Sequence, residues 1–373
     1  MSKMLSFYKT SWLVNQGIFI LGATVFLLVA GYFIPPISPG NFEEQIYNLN
    51  GFQTKHNDQP EVVDFYRSIK NNGGILVLGT SETTPLEGGN YFDYLNEDQD
   101  IDCKFSVLGG AGRTCGIHIP SLLHHRDEVK GLRILYYINP VYWREDLSQV
   151  QPAYWERYVN YAVCASVSLS EEEKMLYYSP VEEFIDETNG LKKVILTLSH
   201  HLRELRRKYF SDLRYHLFPN RYKTQFEFVK DSGKAYSDME GYGEITYHEI
   251  DTTWNIQKSF TAIEWFKPID TAEDYRFREL TSFIMLCERF GIDATFIVGP
   301  VNKKFIRQYQ PEALADYELV SDEIKQILKI HQAKIIDATD ISDDIGAFDD
   351  HQHHSSYGAY LIYQKIKKHL NEE

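Results

Sequence analysis

Apolar positions in this chain fall into two kinds of run. The first is a single long one: from Gly17 to Ile34 no residue is charged, and Ile18-Phe19-Ile20-Leu21 through Phe26-Leu27-Leu28-Val29 is almost wholly apolar. A helical rise of about 1.5 Å per residue carries residues 17–34 across roughly 27 Å, close to the hydrocarbon thickness of a bilayer. The second kind is short. Residues 74–78, 103–108, 132–138, 294–298 and 333–336 are apolar stretches set off by glycines, prolines or polar residues, the pattern of strands buried on both faces. Helical spacing lies between them, as in Ile117, Ile119, Leu122 and Leu123 after the second. The alternation predicts βαβ units and a parallel sheet, hence an α/β fold. Between 147 and 268 the rhythm breaks into a mostly helical, Tyr-rich span, read as an insertion on the core. The expected layout is a cytoplasmic stub and transmembrane anchor over 1–35, a polar linker over 36–60, and an α/β domain over 61–373 carrying the insertion at about 147–268.

Charge orients this layout. Lys3 and Lys9 precede the apolar run, whereas the first acidic or basic residues after it are Glu43 and Glu44. Positive charge stays inside, which predicts a single-pass protein of the cell membrane with a cytoplasmic N-terminus and the remainder outside. Phe33-Ile34-Pro35-Pro36 lacks the small residues of a signal-peptide cleavage site, so the anchor is read as retained. The 373 residues carry a formal net charge of −15, which argues against a nucleic-acid partner. One basic island interrupts the acidity: Arg203 to Lys223 holds seven Lys and Arg against Glu204 and Asp212. It is either a solvated helix face or a surface for an anionic partner. Cys103, Cys115, Cys164 and Cys287 are too few for a disulfide scaffold, with a Cys103–Cys115 bridge left open. His124-His125 and His200-His201 read as surface residues.

Two segments carry chemistry. Asp350-His351-Gln352-His353 places a carboxylate three residues before an imidazole, on a loop that leads into a C-terminal helix past Gly358. Gly79-Thr80-Ser81-Glu82 follows the first predicted strand, so Ser81 falls on a turn at a strand's carboxyl end. A serine hydroxyl becomes a useful nucleophile when a histidine takes its proton and a carboxylate fixes that histidine's tautomer. The candidate catalytic set is therefore Ser81, His353 and Asp350, with Asp349, His351 and His354 as rivals in the same loop. Candidate oxyanion donors are the Ser81 backbone N–H, Gly112 or another glycine of the 109–112 loop, and the Asn139 side chain. Glu82 and Arg113, beside the serine and the glycine loop, are the candidate substrate-binding residues. Zinc held by His351, His353, His354 and Asp350 is the competing reading, but no second ligand cluster with suitable spacing accompanies it. No metal or cofactor is expected.

These blocks resemble the SGNH/GDSL hydrolase superfamily and, within it, the DltD family of D-alanyl-lipoteichoic acid biosynthesis. The matching stretches are Gly79-Thr80-Ser81-Glu82, Leu108-Gly109-Gly110-Ala111-Gly112, Ile138-Asn139-Pro140-Val141-Tyr142-Trp143, Gly299-Pro300-Val301-Asn302-Lys303-Lys304 and Asp350-x-x-His353 with Gly358. Thr80 and Asn139 stand where the family has serine, and His354-Ser355 where it has an apolar residue and glycine. The resemblance implies a three-layer SGNH-like (flavodoxin-like) sheet with a helical insertion behind one transmembrane helix, and a Ser81, His353, Asp350 triad. It further implies D-alanyl transfer to a teichoic acid-like envelope glycopolymer, with an acyl carrier protein and a membrane-bound O-acyltransferase as partners. Two alternatives follow from the same residues. One is an SGNH-type O-acetyltransferase or esterase of an extracellular polysaccharide; the other is a non-catalytic DltD-like partner that recruits the carrier or the acyltransferase.

Overall fold

The computed structural model of the chain describes residues 2–34, 60–83, 86, 89–109, 114–144, 202, 205, 209, 213–218 and 275–372. The expected linker and helical insertion fall almost wholly outside these residues, as does most of the basic island. The chain divides into two compact units, Met1–Pro39 with Gly190–Glu227, and Gly40–Asn189 with Phe228–Glu373. Helices of the first are α1 (Ser2–Tyr32) and, later in the chain, α6 (Leu213–Leu217). Within α1, Val14–Gly31 is long and apolar enough to cross a membrane by length and composition. Its large apolar side chains Ile18, Phe19, Ile20, Leu21 and Phe26 are exposed.

The second unit contains the sheet. In chain order its elements are α2 (Pro60–Asn71), β1 (Ile75–Gly79), α3 (Tyr91–Glu97), β2 (Phe105–Val107), α4 (Cys115–His124), α5 (Arg126–Val129) and β3 (Arg133–Ile138). There follow α7 (Tyr275–Phe290), β4 (Asp293–Val298), α8 (Lys303–Tyr309), α9 (Ala313–Ile330), β5 (Lys334–Asp337) and α10 (Ser356–Glu372). All five strands are parallel and lie in the order β2-β1-β3-β4-β5, with Gly79 opposite Tyr137 and Val298 opposite Asp337. The α/β fold expected from the apolar runs is the one observed, and each strand falls within two residues of its sequence-based range.

Because strand side chains alternate between faces, one sheet feeds two helix layers. Leu76, Leu78, Ile134, Tyr136, Phe296 and Val298 point to one face, where Tyr66 of α2, Ile119 and Leu122 of α4, Phe283 of α7 and Ile324 of α9 cover them. Ile75, Val77, Phe105, Leu135, Tyr137 and Ile297 point to the other, against Phe92 and Leu95 of α3 and Ile362 and Ile366 of α10. The result is a three-layer sandwich. Cys115 belongs to the first layer and Cys103 packs against the second, and both are free thiols, so the bridge between them is not formed. His125 corrects the surface expectation: it is buried, its ring 5.3 Å from that of Tyr66.

The chain runs from β1 outward to β2 and then crosses back to β3, so the direction of winding reverses between β1 and β3. In open parallel sheets that reversal opens a crevice at the carboxyl ends of the two strands. Ser81 leaves β1 there and Asn139 leaves β3 there.

Candidate active site

Ser81 opens a single 3-10 turn, Ser81–Thr83, two residues beyond β1. The turn needs glycine at its entrance. Gly79 has φ +156°, and a Cβ there would stand 2.7 Å from Thr83 Cγ2 and 3.0 Å from Tyr137 Cβ. Gly109, after β2, is equally constrained, because a side chain would run into Thr83 Oγ1. Two glycines therefore let the serine turn sit tightly between β2 and β3.

The histidine arrives from the opposite end of the fold. After β5 the chain passes through two short 3-10 turns and reaches the 350–354 loop ahead of α10. Here Asp350 folds back on its own loop: its Oδ1 accepts the backbone N–H groups of Gln352 (2.8 Å) and His353 (2.6 Å). Its Oδ2 lies 2.6 Å from His353 Nδ1. Asn302, just beyond β4, anchors the loop by donating its side chain to the Asp350 carbonyl (3.1 Å) and its backbone N–H to that of His351 (3.1 Å). Its Oδ1 meanwhile caps α8 at Phe305 N–H. Gly358 lets α10 close against the loop, since a Cβ there would collide with the Ala347 carbonyl.

These devices bring His353 Nε2 to 2.8 Å from Ser81 Oγ, across 272 positions of sequence. With Nδ1–H committed to Asp350, the neutral ring presents Nε2 as an acceptor toward the serine. Gln352 Nε2 also approaches that nitrogen, at 3.2 Å. Asp350 is buried while His353 is about a third exposed, so the ring lies at the edge of the site with the carboxylate behind it. Burial by itself would lower the His353 pKa. The hydrogen bond and charge of Asp350, followed by the charges of Glu82 and Asp349, outweigh it and raise the pKa to about 9. Burial would likewise raise the Asp350 pKa, but its bond to His353 and the two imidazoles beside it hold it below the usual carboxylate range.

The rival loop residues point elsewhere. His354 is buried, its Nε2 3.0 Å from Asn90 Oδ1 and its ring beside Tyr91 and Tyr137; burial drives its pKa down to about 3, which keeps it neutral. His351 sits against Phe305, 3.9 Å from Asp350 Oδ1, and burial lowers it to about 4. Asp349 donates its backbone N–H to the His353 carbonyl at 2.9 Å. The three histidines thus diverge, and among the described residues no group of three His, Cys, Asp or Glu side chains is arranged to hold a metal.

Of the expected oxyanion donors, Ser81 and Asn139 flank the crevice, while Gly112 lies outside the described residues. Arg113, expected to bind substrate, also lies outside them. Glu82 needs correction. Only 2% exposed, it turns inward rather than toward a ligand, with one carboxylate oxygen taking the Thr80 hydroxyl and the other the Asn139 amide. Asn139 Oδ1 accepts Val141 N–H at 2.8 Å, which fixes which end of the amide faces Glu82.

Sequence reasoning left Asn90 and Asn302 out of the site. Asn90 caps α3 in a reciprocal capping box with Asp93, donates to the Glu82 carbonyl (2.8 Å) and holds His354. Its signal was the Asn-x-x-Asp spacing before an aromatic run.

A doubly wound parallel sheet, with a serine, an imidazole and a carboxylate hydrogen-bonded in line at its switch point, places this protein in the α/β class. A model of the family described as DltD protein matches residues 246–371, a span that includes Asn302, Asp350 and His353 but begins after Ser81 and Asn139. Among solved structures, an acetyl xylan esterase, AlAXEase, is similar with a TM-score of 0.36 and 11% identity, over 79% of this chain and 99% of that one. No curated protein matches the chain.

Proposed function

We propose that this protein is a membrane-anchored acyl-transfer enzyme of the cell envelope that uses Ser81 as its nucleophile. The observation that carries the proposal is the unbroken hydrogen-bonded line from Ser81 Oγ through His353 to Asp350 at the carboxyl edge of the sheet. The DltD match over residues 246–371 supports an envelope polymer as the substrate. By that resemblance the transferred group is D-alanyl and the acceptor a teichoic acid-like hydroxyl, with a carrier protein and a membrane-bound O-acyltransferase as partners. The apolar Val14–Gly31 stretch supports the anchor, and Lys3 and Lys9 before it support an outward-facing second unit.

The chemistry runs in two halves. Ser81 Oγ attacks the acyl carbonyl as its proton passes to His353 Nε2, and Asp350 stabilises the imidazolium that forms. The oxyanion is met by the Ser81 N–H and the Asn139 amide. The tetrahedral species collapses to an acyl-serine, and His353 returns the proton to the leaving group. In the second half an acceptor hydroxyl gives its proton to His353 Nε2 and attacks the ester, releasing Ser81 and completing transfer; water in the same place gives hydrolysis.

The test is covalent labelling of the full chain in detergent with a fluorophosphonate, together with measurement of polymer-linked ester in cells. Labelling confined to Ser81, abolished in Ser81→Ala and His353→Ala, is expected. Ester transfer should fall by about four orders of magnitude in Ser81→Ala, the scale of other serine triads. Polymer esterification that is unchanged in a Ser81→Ala strain would count decisively against an enzyme and in favour of a recruiting partner.

A further inference from the structure

We infer that Leu202, Leu217 and Phe218, carried on chain that packs against the C-terminal end of α1, form a second membrane contact, seated in the interface of an anionic phospholipid bilayer beside the anchor. The inference rests on the membrane-anchored reading above and deepens it by naming a further surface that the first unit lays on lipid.

The packing fixes where this surface lies. Leu205 and Tyr209 stand four residues apart, the spacing of one helical face. The Tyr209 hydroxyl donates to the Leu27 carbonyl of α1 at 2.6 Å. Gly31 is buried and gives the room for this approach, since a Cβ there would stand 2.5 Å from Leu205 Cδ1 and 3.2 Å from Tyr209 Cε2. All of these residues belong to one compact unit. Leu27 and Gly31 close the apolar Val14–Gly31 stretch, whose length matches the hydrocarbon thickness of a bilayer. The contact therefore falls where a spanning helix leaves the acyl chains for the head groups, the depth at which tyrosine is enriched.

What the unit leaves uncovered next in the chain is apolar. Leu202 is 54% exposed, and Leu217 and Phe218, at the end of α6, are 61% and 58% exposed; Phe33, just past α1, is 75% exposed. Large apolar side chains gain free energy on leaving water, and an interface within reach of the anchor supplies the place. Charge selects the occupant. In sequence the same stretch, Arg203 to Lys223, carries seven Lys and Arg against Glu204 and Asp212, in a chain of net charge −15. Basic residues interleaved with Leu and Phe suit an anionic leaflet, whereas two copies meeting through this stretch would bring like charges together.

The experiment is photo-cross-linking of the full chain in vesicles of phosphatidylcholine, alone or with about a third of phosphatidylglycerol, each doped with a diazirine-bearing phosphatidylcholine. Adducts are mapped to residues by mass spectrometry. Lipid adducts on 202–218 as well as on α1 are expected, severalfold more abundant on 202–218 in the anionic vesicles at low salt. Replacing Leu217→Ser and Phe218→Ser together should lower the 202–218 adducts about tenfold. Because both side chains are exposed, the adducts on α1 and the thermal unfolding midpoint should stay as in wild type. Adducts on α1 alone overturn this inference and leave the anchor standing; adducts on neither remove the anchor reading and this inference with it. Cross-links from 202–218 to a second protein chain in place of lipid overturn it too. So does a 202–218 yield that is no higher in anionic vesicles, or that survives the double substitution.

Discussion

At the scale of single residues, what distinguishes His353 from its neighbours is its partner and its place: His351 and His354 are buried, whereas His353 is about a third exposed and bonded to Asp350. Asp350 holds His353 and raises it to about 9, whereas burial takes His351 and His354 down to about 4 and about 3. The sign for activity follows directly. With its pKa raised to about 9, His353 holds a proton more tightly than an ordinary imidazole, and in the proposed mechanism only the neutral ring can take the Ser81 proton. Labelling of Ser81 should therefore rise with pH and level off above about 9. Asp350→Asn removes the charge that supports the ring and should move that limb down while lowering the plateau by orders of magnitude. His351→Ala should leave the limb in place. The Asp-x-x-His spacing pointed to this pair over Asp349, His351 and His354, because a carboxylate can fold back three residues onto its own loop, and it is these two side chains that lie 2.6 Å apart. The inward turn of Glu82 was not legible: a charged residue beside a nucleophile reads as a substrate contact until Thr80 and Asn139 are seen to enclose it.

At the scale of elements, the strands were legible and their companions less so. Fully buried parallel strands announce themselves as short apolar runs, and β1, β3, β4 and β5 follow those runs within one residue at each end. Helix α7 shows what pattern alone does not reveal. Arg276 and Glu279, one helical turn apart, are both buried and pair at 3.4 Å, with Thr114 at the entrance of α4 bonded to Arg276. Gly116 of α4 leaves the space that Glu279 fills, since a Cβ there would meet its carboxylate. Two charges that look solvent-bound in sequence therefore join α7 to α4. Glu279→Ala removes the carboxylate that faces the buried guanidinium and should cost about 3–5 kcal/mol, read from the midpoint of chemical denaturation at unchanged slope. Replacing Arg276 and Glu279 together by apolar residues of similar volume should recover most of that loss.

At the scale of the whole chain, a net charge of −15 accompanies one stretch, Val14–Gly31, that is long and apolar enough to cross a membrane. Alkaline carbonate should leave the full chain in the membrane pellet and detergent should release it; release by carbonate alone would contradict an integral anchor. The order in which the site is assembled has a further consequence. Ser81 emerges with the first strand of the sheet, but the imidazole it bonds belongs to the loop after the fifth, 272 positions later. A polypeptide that lacks that loop accordingly lacks the Ser81–His353 hydrogen bond on which the proposed function rests. If the proposed function holds, the site closes only once the 350–354 loop has been made and folded against the first strand's turn.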